Sequence, residues 1–113
     1  MKMLAKSLAA FKYGRGLMHF IKERYHKAIK SIEHSLNLDP GLKDNTWHTY
    51  SVLGRSYLAL GDIERADKLI KKAMDMFEEE GGEILSKFDH DEYNSTLMAY
   101  DKINNRKSER EQK

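Results

Sequence analysis

The feature that most constrains this chain is an internal self-similarity at an offset of 38 residues. Gly16 falls on Gly54, Ala28 on Ala66, Ile32 on Ile70 and Ser35 on Ala73. The four pairs are small or aliphatic, and within each copy they recur at spacings that place residues on one side of a helix. Two antiparallel helices pack closely only where the side chains at their crossing are small. Gly54 and Ala66 are therefore the expected points of approach, with Leu53, Tyr57 and Ile70 filling the space around them.

Local signals agree with a helical reading. Ala, Leu, Lys and Glu dominate, proline occurs only at Pro40, and no stretch alternates as a strand does. Gly61 can close one helix in the left-handed conformation, and Asp62 can cap the next. Pro40 ends a helix and excludes Asp39 from it. The pattern predicts helices at about 3–22, 25–38, 44–60 and 63–79. After Gly81-Gly82, the apolar residues Ile84, Leu85, Phe88, Tyr93, Leu97, Tyr100 and Ile103 predict a fifth, covering helix at about 83–104. The polar stretch 105–113 reads as a frayed helix end or a flexible tail.

The second copy reads Tyr50-x-x-Leu53-Gly54-x-x-Tyr57, then Leu60-Gly61-Asp62, then Ala66-x-x-x-Ile70-x-x-Ala73. This resembles the tetratricopeptide repeat, a unit of about 34 residues with an aromatic, Leu-Gly and Tyr on its first helix and Ala, a large apolar residue and Ala on its second. The first copy keeps its second helix, Ala28-x-x-x-Ile32-x-x-Ser35, but has Lys12, His19 and Glu23 in place of the aromatic, the tyrosine and the turn glycine. The four extra residues of the spacing are placed around Gly41 to Asp44. The resemblance implies an all-α superhelix of antiparallel helical hairpins with about five helices. Residues 1–104 form a single domain, with units at about 9–40 and 47–80 and a capping helix.

Proteins of this family hold an extended peptide or a partner helix in a groove lined by the first helix of each unit. Carried over, the groove positions are Tyr13, Gly14, Leu17, Phe20 and Ile21, then His48, Ser51, Val52, Arg55 and Leu58. The groove is apolar. Tyr13, Gly14, Ser51 and Val52 replace the lysine and asparagine with which some members grip acidic C-termini, so that specificity is not expected. Either a partner or the chain's own fifth helix fills the groove. The implied function is protein binding by an adaptor, chaperone-like or regulatory subunit, with no enzymatic activity and no cofactor.

The first helix carries two apolar arcs at 100° per residue: Leu4, Leu8, Phe11 and Met18 on one side, Tyr13, Leu17 and Phe20 opposite. A terminal helix needs one such face for its own core, so the second predicts cover by another element or by a second copy. Charge is polarised. Residues 1–30 hold eight Lys/Arg against Glu23 alone, a net +7, and residues 62–92 hold eleven acids against five bases, a net −6. Such asymmetry steers charged partners or a homo-oligomer. Nucleic acid is the alternative partner for the basic hairpin, but its cations spread around the helices instead of forming a stripe.

Other chemistry is sparse. The chain has no cysteine, which removes disulfides and thiolate sites and fits a reducing cytoplasm. Lys6 and Lys12 interrupt any leader-like apolar run, and no window is long enough to span a membrane. His19 with Glu23 and His26, and Asp89-His90-Asp91, match no known zinc spacing. His48 and Ser51 share a helical face, without an oxyanion loop to complete a nucleophilic site.

Overall fold

A computed structural model of the chain describes residues 2–40 and 46–111. Five helices follow one another: α1 (Lys2–Ile21), α2 (Tyr25–Leu38), α3 (Trp47–Ala59), α4 (Ile63–Glu79) and α5 (Lys87–Glu111). No strand occurs among the described residues. The first four helices lie where the pattern predicts them. The proposed insertion at Gly41 to Asp44 and the first predicted residues of the third helix lie outside the described residues.

The helix ends show why the hairpins form. Gly61 adopts φ +85°, and the amide of Asp62 reaches back to the carbonyl of Tyr57 at 3.0 Å. This six-residue closure satisfies the last carbonyls of α3. Asp62 then caps α4 by accepting from the amide of Arg65 at 3.3 Å. The first repeat reproduces the closure 38 residues earlier, where Arg24 donates to the carbonyl of His19 at 2.8 Å. There the left-handed residue is Glu23, at φ +61°.

The two hairpins pack through the small residues of the repeat. A Cβ on Gly16 would sit 2.5 Å from Cγ1 of Ile32, and one on Gly54 would sit 2.8 Å from both Cγ1 and Cδ1 of Ile70. Ala28, Ala66, Ser35 and Ala73 are fully buried beside these crossings. Ser35 enters the apolar layer because its hydroxyl donates to the carbonyl of Ile32 at 2.7 Å. α2 packs on α3 and joins the hairpins around Ala9, Tyr13, Ile29, Ile32, Val52 and Leu53.

α5 closes the far side of the second hairpin, lying on α4 and α3. Its Ala99 and Ile103 join Leu58, Ile63, Ala66 and Ile70 in a second core. Tyr93 stacks on Phe77, with ring centroids 4.0 Å apart, and both meet the edge of Trp47. Two expectations are corrected here. The helix begins at Lys87, not near 83, because the Ser86 hydroxyl accepts from the amide of Asp89 and caps it there. Residues 105–111, expected to be a frayed helix end or a flexible tail, continue the helix as far as Glu111, where Lys107 reaches across to Asp67 on α4.

The buried face of α5 also differs from the expected stripe. Thr96, Ala99 and Ile103 are buried, whereas Ile84, Leu85 and Phe88 are exposed. The short side chains at 96 and 99 let α5 approach α3 and α4 closely, which the pattern of large apolar residues does not reveal.

Candidate functional site

α1 and α3 run side by side on one face of the molecule, so residues one or two turns apart on each line a common surface. Tyr13 joins them directly, its hydroxyl accepting from the Thr49 hydroxyl at 3.1 Å. Among the described residues, no Cα of α5 comes within 8 Å of α1. A groove of about 430 Å³ therefore stays open between α1, α3 and the first turns of α5.

Six of the ten expected groove positions line it: Tyr13, Leu17, Phe20, Ile21, His48 and Val52. Tyr13 and Val52 form buried parts of the floor, and Ile21 stands 78% exposed. Gly14 is exposed, and no heavy atom lies within 4 Å of where its Cβ would be. The alternative in which the fifth helix fills the groove does not describe this arrangement, because α5 walls the groove without crossing it.

Ser51 and Arg55 face α5 instead of the open space. Ser51 is buried against the hydroxyl of Thr96, which itself donates to the carbonyl of Glu92 at 2.8 Å. With the Thr96 proton committed, Ser51 is the donor of that pair. Arg55 forms an ion pair with Glu92, and its guanidinium carbon lies 5.0 Å from the centroid of the Phe20 ring. It reaches a second cleft of about 330 Å³, where Leu58, Lys102 and Arg106 also lie.

His48 fixes the other end of α5. Its Nε2 lies 2.8 Å from Asp89 Oδ1 and its Nδ1 lies 3.1 Å from Thr46 Oγ1. The ring stacks between Trp47 and Phe88, with centroids 3.8 and 5.7 Å away. Thr46, Phe88 and Glu92 complete the groove wall. The sequence reading missed these three. Two of them sit on α5, whose register against α3 is set by tertiary docking.

The same contacts separate the one nearby Ser and His pair, since Ser51 is engaged by Thr96 while both His48 nitrogens face Thr46 and Asp89. No group of three or more His, Asp or Glu side chains comes together as a metal site among the described residues. Of the other sequence candidates, the His19 ring is pushed to lower pKa, by desolvation first and then by the cations Lys27, Arg24, Arg15 and Lys22. His90 lies 3.6 Å from Asp91 and faces Asn94.

Paired antiparallel helices, turns closed by a left-handed residue, small residues at each crossing and an open groove on one face define a helical-hairpin repeat protein. The family model for the tetratricopeptide repeat matches residues 7–79, which cover both hairpins, and the chain belongs to that family. No curated protein and no solved structure matches the chain. Tetratricopeptide repeats are generally protein-interaction modules and are typically non-catalytic. No helix among the described residues is long and apolar enough to cross a membrane.

Proposed function

We propose that the protein is a non-enzymatic adaptor, chaperone-like or regulatory subunit of the cytoplasm. It takes an amphipathic helix or apolar peptide from a partner protein into the groove between α1, α3 and α5. The observation that carries this reading is the open apolar groove, whose sides are Leu17, Phe20 and Ile21 over a buried floor of Tyr13 and Val52, and which α5 does not cross. An apolar groove favours a partner that buries side chains at i, i+3, i+4 and i+7. Among the described residues, no lysine or arginine lines the groove, and Arg55 on α3 is already paired with Glu92.

The groove is tested by selecting binders from a library of amphipathic helical peptides and measuring their affinity for wild type and for an Ile21→Asp, Phe88→Ala variant. Both side chains are exposed, so the fold should be unaffected. Loss of affinity by about tenfold or more, at unchanged melting temperature, is expected. Equal affinity for both proteins would place the binding surface elsewhere.

A further inference from the structure

Among the described residues, two exposed apolar surfaces outside the groove complement each other. The outer arc of α1 exposes Leu4 at 73%, Phe11 at 59%, Met18 at 56% and Leu8 at 42%. Arg15 and Lys22 fall in the same arc by helical geometry, and Arg15 lies over the ring of Phe11. This arc points away from Tyr13, Leu17 and Phe20 and plays no part in the groove.

The second surface is the junction between α4 and α5. Gly81 and Gly82, both at positive φ, turn the chain out of α4, and residues 81–86 stand outside any helix. Ile84 and Leu85 are exposed there at 46% and 79%. In sequence the segment is flanked by Glu78, Glu79, Glu80, Glu83, Asp89 and Asp91, against Lys87 alone, and of these Asp89 is paired with His48.

Each surface joins apolar side chains to charge of one sign, and the signs are opposite. Two α1 arcs set face to face would oppose cations, and two junctions would oppose carboxylates. An arc on a junction buries apolar groups while pairing opposite charges. We propose that the protein self-associates head to tail, the outer arc of α1 in one copy seating on the Glu83-Ile84-Leu85 segment of the next. The contact is heterologous, so it propagates into a chain or closes into a ring. An anionic lipid surface would satisfy the α1 arc but leave Ile84 and Leu85 uncovered, which is why a second copy is the better occupant.

The test is sedimentation of the full chain. Wild type should rise above its 13.2 kDa monomer mass with concentration at low salt. It should fall back towards the monomer near 1 M salt, where the screening length is about 3 Å. Leu4→Gln with Phe11→Gln disables the head, and Ile84→Gln with Leu85→Gln disables the tail. All four positions are exposed, and circular dichroism checks that both variants remain folded. Each variant alone should stay monomeric, whereas a mixture should form a dimer, because one intact head and one intact tail remain. A wild type monomeric at every concentration, a head variant that still assembles, or a mixture that stays monomeric would overturn the proposal. So would wild type that binds phosphatidylserine vesicles while remaining monomeric, which assigns the α1 arc to a lipid surface.

Discussion

Gly14 and Gly54 both lie within helices, yet they should respond oppositely to alanine. In an exposed helix interior the change gains about 0.8–1.0 kcal/mol of helix propensity. At Gly14 a Cβ would meet no atom within 4 Å, so Gly14→Ala should stabilise the protein by about that amount. At Gly54 the same Cβ would meet Ile70 Cγ1 and Cδ1 at 2.8 Å and the Ile70 backbone nitrogen at 3.2 Å. The side-chain atoms can turn aside, but the nitrogen moves only if α4 moves. Overpacking of this kind costs about 1–3 kcal/mol. The propensity gain is common to both variants, so the difference between them isolates the crossing and should be about 1–3 kcal/mol. Thermal unfolding followed by circular dichroism should separate the two melting temperatures by about 4 °C or more. Ile70→Val in the Gly54→Ala background removes Cδ1 and should couple favourably by about 0.5 kcal/mol or more. A Gly54→Ala protein as stable as Gly14→Ala would refute the close-approach reading of the repeat.

Glu23 holds a left-handed turn that the second repeat gives to Gly61, so Glu23→Gly should raise stability by about 0.5–1 kcal/mol in urea unfolding, and an unchanged midpoint would contradict the strain. Ile103 is fully buried, and Ile103→Ala should cost about 2–5 kcal/mol; a loss under about 1 kcal/mol would show that the C-terminal half of α5 is not core. Burial pushes the Asp67 carboxyl up, but hydrogen bonds from Lys107 and Lys71 outweigh it and hold its pKa below the usual range. The charged form is therefore favoured in the folded state. Its contribution is present above about pH 4 and lost as pH falls through the lowered value. Lys107→Met should flatten that part of the stability profile, and an unaltered slope would argue against the α4 to α5 tie.

The hairpins are legible because their determinants are local or one helix apart. Gly61, Asp62 and Pro40 mark ends within a residue or two, and the pairs Gly16/Gly54 and Ile32/Ile70 are the atoms that meet at the crossings. Even the departure at Glu23 left the turn geometry intact, since its closure repeats that of Gly61. α5 is less legible because it buries Thr96 and Ala99 while leaving Phe88 and Leu85 out, and a polar or small residue in contact looks the same in sequence as one in solvent. Its extension to Glu111 depends on a charge pair with Asp67, forty positions away, which no periodicity encodes.

The docking of α5 also sets what the groove can accept. Along α3, His48 meets Asp89 through an imidazole–carboxylate contact, Ser51 meets Thr96 through a hydroxyl pair and Arg55 meets Glu92 through an ion pair. These groups lie on the face of α3 that the family resemblance assigns to ligand. Here α5 consumes them, as it must if two hairpins are to bury a core that usually needs about three. What remains for a partner is the α1 side, where Tyr13, Leu17 and Phe20 have no counterpart on α5. Under the proposed groove function, Ser51 and Arg55 would act on a ligand through α5, by fixing where Phe88 and Glu92 stand, whereas Leu17 and Ile21 would meet it directly. Under this division, Arg55→Met should loosen the α5 wall and weaken peptides of every sequence alike, while Leu17→Ala should change which peptides are preferred.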